Sequence, residues 1–132
     1  MFTQQLTTAA TNRAADAILA PLNGTMLRIY DGNQPNDSDD LITTQRLLVE
    51  CQFNMQAFQP ASRGKAVANA FAPGKAINDG QASWFRTDAF DGSVGPWREG
   101  KEQAANLELR ETYIEEGRMV QIDTLTYVQK RE

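Results

Sequence analysis

The rhythm of apolar and polar residues changes once along this chain, near residue 22. Before it, Leu6, Ala9, Ala10, Arg13, Ala14, Ala17 and Ile18 recur at spacings of three and four, so most share one stripe of a helix. Alanine is the best helix former, and the segment is rich in it. Pro21 then stops the helix and Asn23-Gly24 turns the chain. The pattern predicts a helix over residues 3–21, either packed on its own sheet or serving as an arm that docks on a neighbouring subunit.

Beyond residue 24 the period is two. Residues 25–30 set Thr25, Leu27 and Ile29 on one face and Met26, Arg28 and Tyr30 on the other. The strongest alternation lies within residues 41–53, with Leu47, Val49, Cys51 and Phe53 opposite Leu48, Glu50 and Gln52. Residues 64–72 alternate Ala66, Ala68, Ala70 and Ala72 with Val67, Asn69 and Phe71. They read as a strand whose small side chains let a helix or a second sheet approach closely. Residues 81–87 place Ala82, Trp84 and Arg86 opposite Ser83, Phe85 and Thr87. Leu107 and Leu109 alternate with Asn106, Glu108 and Arg110, and Glu115-Glu116-Gly117 predicts a hairpin-like reversal. The chain then reads as one long central strand over residues 118–130, with Val120, Ile122, Thr124, Thr126 and Val128 on a shared face.

Turn formers separate these runs. Residues 31–40 hold four aspartates and can only be a loop; Pro73-Gly74, Asn78-Asp79-Gly80 and Phe90-Asp91-Gly92 read as turns, the last followed by a short edge strand ending at Trp97. One helix, about six to eight strands and turns every 8–12 residues predict a mainly β fold, an antiparallel β-sandwich or jelly-roll-like domain with a short N-terminal helix. No repeat or linker divides it, so residues 1–132 read as one domain, with a helix or arm over 1–21 and a β body over 23–130.

Composition narrows the functions. The net charge of −4 and pI near 4.8 argue against nucleic-acid binding, which depends on clustered Lys and Arg. No apolar run approaches the ~18 residues that cross a bilayer, and the first residues lack the basic region and apolar core of a signal peptide, so a cytosolic origin is expected. Cys51 is the single cysteine and reads as a small buried hydrophobe. The chain contains no histidine, which excludes Cys–His and Ser–His catalysis. Carboxylates are plentiful but sit mostly in turns, and no catalytic, cofactor or metal site is expected. The 31–40 loop invites a calcium reading, but its spacing lacks the EF-hand glycine and glutamate, so a solvated loop is expected. Gly92-Ser93-Val94-Gly95 lacks the Gly-Lys-Ser/Thr of a phosphate loop. Tyr30, Trp84, Phe85, Trp97, Tyr113 and Tyr127 read as core filling, with Trp97 the exception because it follows Gly95-Pro96 in a loop.

Several blocks occur in a familiar order: Leu27-Arg28-Ile29-Tyr30-Asp31-Gly32, Gln34-Pro35, Leu47-Leu48, Ala82-Ser83-Trp84-Phe85-Arg86 and Asp91-Gly92-Ser93-Val94-Gly95. In that order they resemble a family of small tailed-bacteriophage and prophage structural proteins, and the likeness extends from about residue 10 to residue 128. The resemblance implies a virion component made in the host cytoplasm, not an enzyme. With the small size and β architecture, it leads to the expectation of a capsid decoration, or cement, protein that binds the major capsid protein, as a homo-oligomer. A minor tail, head–tail or baseplate protein is the alternative it also allows; a carbohydrate-binding module built around Trp97 is a second alternative, from another class. The chain departs from the family pattern at Pro96-Trp97-Arg98-Glu99-Gly100-Lys101. The residues expected to contact a partner are Met26, Arg28 and Tyr30 on the second face of the first strand, with Trp97 and Arg98 in this departing loop.

Overall fold

Thr7 starts the helix. In the computed structural model, which describes residues 4–131, its Oγ1 accepts the Ala10 N–H (3.1 Å) and α1 runs over Thr8–Leu19. Pro21 closes it in a 3₁₀ turn over Ala20–Leu22. The expected start at Thr3 lies outside the described residues. The buried stripe is Thr11, Ala15 and Leu19, a rotation away from the predicted one, and Ile18 is left exposed. Side-chain contacts at the helix set this rotation: Asn12 Oδ1 accepts the Gly64 N–H (2.8 Å), and Asp16 Oδ1 accepts the Ala61 N–H (2.9 Å). The close approach that the alanines were expected to allow is made at Gly64, where a Cβ would meet Thr11 Cγ2 at 3.2 Å.

The β body holds β1 (Met26–Tyr30), β2 (Leu47–Gln52), β3 (Lys65–Val67), β4 (Gly74–Lys75), β5 (Gly80–Gln81), β6 (Trp84–Arg86), β7 (Asp91–Pro96), β8 (Leu107–Leu109), β9 (Tyr113–Ile114), β10 (Met119–Val120) and β11 (Thr124–Val128). Seven of them form one sheet in the order β2-β1-β6-β7-β8-β11-β3, and β10-β4 and β5-β9 form two short ladders. The fold is mainly β with one short N-terminal helix, as expected. Neighbours in the sheet are antiparallel except β7 and β8, so the sheet is mixed.

Leu27 and Ile29 face the core together with Val49, Cys51, Phe53, Phe85, Leu107 and Leu125. The short ladders close over this face. Gly74 in β4 lies so near β2 that a side chain there would strike the Glu50 carbonyl, and a Cβ at Gly80 would come within 2.8 Å of Leu48 Cδ2. Ile114 and Val120 from these ladders, with Ala76 just after β4, join the same core. Cys51 is buried among them, and burial pushes its thiol up to about 11, against the opposing pull of a Gly74 backbone hydrogen bond. It is an unreactive core residue.

Four local expectations are corrected. Phe90-Asp91-Gly92 is not the turn. Thr87 makes that turn one step earlier, its Oγ1 accepting the Ala89 and Phe90 N–H groups, and Asp91 already belongs to β7. Nor is β7 an edge: it is paired on both sides, and Gly92 fits there because a Cβ would strike the Phe85 ring at 2.6 Å. The predicted 118–130 strand is two strands. Gln121–Asp123 interrupt it, so burial passes from Val120 and Ile122 to Leu125, on the opposite parity. Finally, the 64–72 strand leaves the sheet after Ala68, whose N–H still donates to the Leu125 carbonyl of β11 (2.9 Å) and which bridges to Phe58, and Phe71 turns into the core.

Candidate interaction surfaces

The outer face of the sheet is built by cross-strand register. Glu50, Arg28, Arg86 and Asp91 stand opposite one another in one row across β2, β1, β6 and β7. The two arginines are neighbours of like charge, and each is held by a carboxylate on its far side. Arg28 Nε lies 3.1 Å from Glu50 Oε2. Arg86 makes a two-pronged contact with Asp91, Nε to Oδ1 at 2.8 Å and Nη2 to Oδ2 at 2.9 Å. The hydrogen bonds that Arg86 donates to Asp91 raise the Arg86 pKa further. In the next row Tyr30 faces Trp84 and Ser93. The Tyr30 and Trp84 rings stack at 4.6 Å, and the Arg86 guanidinium lies 5.3 Å from the Trp84 centroid.

The aspartate-rich loop is what seals this face. Its two ends are tied by Asp31 N–H to the Arg46 carbonyl (3.1 Å) and by the Arg46 N–H to Asp31 Oδ1. Trp84 Nε1 donates to the Asp31 carbonyl (3.0 Å), Ser83 Oγ donates to the Gly32 carbonyl, and Arg86 Nη1 reaches the Asp40 carbonyl (2.7 Å). Residues 31–46 thus form an Ω-loop, and its backbone closes over the Trp84 edge. Asp37 accepts the Asp39 N–H (2.8 Å) as a turn residue. Among the described residues, no group of three or more His, Cys, Asp or Glu side chains is placed to hold a metal ion.

This arrangement sorts the expected contact residues. Tyr30 is corrected: it is buried, 7% exposed, because Trp84 covers its ring. Burial also raises its pKa, against the lowering effect of Arg28 and Arg86. Met26 is half-buried at the start of β1, and Arg28 is half-exposed but already paired with Glu50. Trp97 and Arg98 lie elsewhere, beyond β7. The Trp97 N–H donates to the Leu109 carbonyl (2.8 Å), its ring lies 4.6 Å below the Arg110 guanidinium, and Arg98 is exposed in the following loop. The structure therefore gathers Met26, Arg28 and Tyr30 on one face and separates Trp97 and Arg98 from them.

Sequence reasoning passed over a second surface beside Trp97. Residues 107–125 form a hairpin whose base is paired, Glu108 with Thr124 and Leu107 with Leu125. Its tip is the expected reversal, with the Arg118 N–H donating to the Glu115 carbonyl (3.1 Å) and Gly117 at φ 88°. Beyond the base the strands of the two arms do not pair with each other, although Asp123 reaches across to accept the Arg110 N–H (2.9 Å). Tyr113–Ile114 join β5 and Met119–Val120 join β4, leaving a groove of about 680 Å³ between the arms. Leu109, Ile114 and Val120 are buried at its lining, whereas Tyr113 (55%) and Met119 (63%) are exposed. Arg110 forms one wall, fixed by Asp123 at 3.2 Å and by the Trp97 ring. Part of the signal was present in the sequence: Met119 is a large apolar residue opposite the Val120–Ile122 face, whereas Tyr113 has the parity of Leu107 and Leu109 and reads as a core position.

No helix among the described residues is long and apolar enough to cross a membrane. Comparison of the chain with family models, curated proteins and solved structures gives no match.

Proposed function

We propose that this chain is a structural component of a bacteriophage virion, and specifically a capsid decoration protein that binds the major capsid protein and reinforces the shell as a homo-oligomer. The observation that carries the reading is how its resemblance blocks meet. Trp84 and Asp31 lie 53 positions apart and share a hydrogen bond; Ser83 bonds Gly32; Arg86 grips Asp91. Blocks that hold one another in place suit a signature that specifies a scaffold, which is what a structural family requires of its sequence. A compact acidic β domain without a disulfide can fold in a reducing cytoplasm and then bind an assembled lattice. Many copies on one shell need little affinity each, because linked contacts multiply.

Arg110 already occupies one face of Trp97, which weighs against a sugar platform at that ring. The assignment is tested by electron cryo-microscopy and mass spectrometry of purified particles that carry this chain. Repeated density over the capsid is expected. Density on the tail alone would overturn the decoration role, and absence from particles would overturn the virion role altogether.

A further inference from the structure

The groove between β9 and β10 has a backbone as well as a side-chain surface. In an antiparallel ladder, residues alternate between pairs that exchange both main-chain bonds and pairs whose main-chain groups point away from each other. The Ala82 N–H donates to the Thr112 carbonyl and Gln81 stands opposite Tyr113, so Tyr113 turns its N–H and C=O away from β5. The Ala76 N–H donates to the Arg118 carbonyl and Lys75 stands opposite Met119, so Met119 turns its own away from β4. Tyr113 and Met119 both line the groove, from opposite arms. By this alternation these four main-chain groups are not used in the β5–β9 and β4–β10 ladders, the pairings β9 and β10 make among the described residues.

We propose that the groove takes a short extended segment of a partner protein that carries a basic residue, paired with the backbones of Tyr113 and Met119. Donors and acceptors on both walls match a peptide backbone, which offers both at a regular spacing, and strand addition is an established way to bind one. The exposed Tyr113 and Met119 side chains flank the place where an apolar side chain of that segment would sit. Charge selects the rest. Arg110 is paired with Asp123 and Arg118 with Glu115, so among the described residues Glu111 is the charged lining residue left without an ion pair, on a chain of net charge −4. A Lys or Arg on the incoming segment completes it. This inference stands on the groove alone and does not depend on the virion role.

The test titrates the full-length ¹⁵N-labelled chain with blocked pentapeptides of alternating Val and Thr around a central Lys, and follows the amide resonances and their exchange. The expected result is a shift and slowed exchange at the Tyr113 and Met119 amides. Affinity should fall about tenfold for Glu111→Lys, and binding should be lost when the peptide nitrogens are methylated. Four results would overturn the proposal: no binding at about millimolar peptide, binding that leaves both amides unchanged, equal binding of the methylated peptides, or protection of the same amides on raising protein concentration alone. The last would assign the groove to a second copy of this chain.

Discussion

On the outer face of β1 and β6, Tyr30 and Trp84 stack beneath the 31–46 loop, and Arg86 is held by Asp91, by the Asp40 carbonyl and by the Trp84 ring. Between β9 and β10, Tyr113 and Met119 are more than half exposed and line a groove, and by ladder alternation their main-chain groups turn away from β5 and β4. The first region holds the most distinctive sequence in the chain and spends its polar groups on itself. The second has no conspicuous motif and leaves its groups open. Distinctive sequence here marks a structural lock, and a contact surface is better recognised by what its neighbours fail to satisfy.

Substitutions on the two sides should therefore behave differently. Trp84→Ala removes a fully buried ring and the anchor of the loop, and should cost about 3–5 kcal/mol in chemical denaturation. Asp91→Ala leaves Arg86 without its carboxylate partner on a mostly covered face, and should cost about 3 kcal/mol in the same assay. A loss below about 0.5 kcal/mol for either variant would mean that the face is not locked. Tyr30 gives the lock a pH dependence. Its folded pKa is raised above 10.0 by burial, so its contribution is present in full below that value and is lost as pH rises through the raised pKa. Denaturation midpoints should decline more steeply above pH 10 for the natural chain than for Tyr30→Phe; parallel curves would remove burial of the phenol from the account. On the open side, Tyr113→Ser and Met119→Ser should each change stability by no more than about 0.5 kcal/mol while weakening partner binding. A large loss of stability there would mean that these side chains serve the core.

Much of the fold was legible. Leu27 and Ile29 face the core as their alternation requires, and the helix stops where Pro21 stops it. The errors share a physical origin, in that local pattern does not report a neighbour. Leu48 was placed opposite Val49, yet both are buried, because Ile29 pairs with Val49 and Tyr30 with Leu47, leaving Leu48 as the extra residue of a bulge. Asp91-Gly92 looked like a turn because glycine usually marks one, but here the missing Cβ makes room for Phe85 in a paired strand. Tyr30 looked available because nothing in its own strand shows that a loop and Trp84 cover it. The groove was hidden for the same reason: Glu115-Glu116-Gly117 does reverse the chain, and only the tertiary pairing with β4 and β5 pulls the arms apart.

The contrast between lock and groove is tested most directly by hydrogen exchange of the free chain, resolved to single amides. The Asp31 and Ser83 amides, which donate to the Arg46 and Tyr30 carbonyls, should be strongly protected, while the Tyr113 and Met119 amides exchange at close to unprotected rates. Protection of Tyr113 and Met119 equal to that of Asp31 and Ser83 would contradict the account, because it would mean that the arms of the hairpin pair in solution and leave no groove to fill.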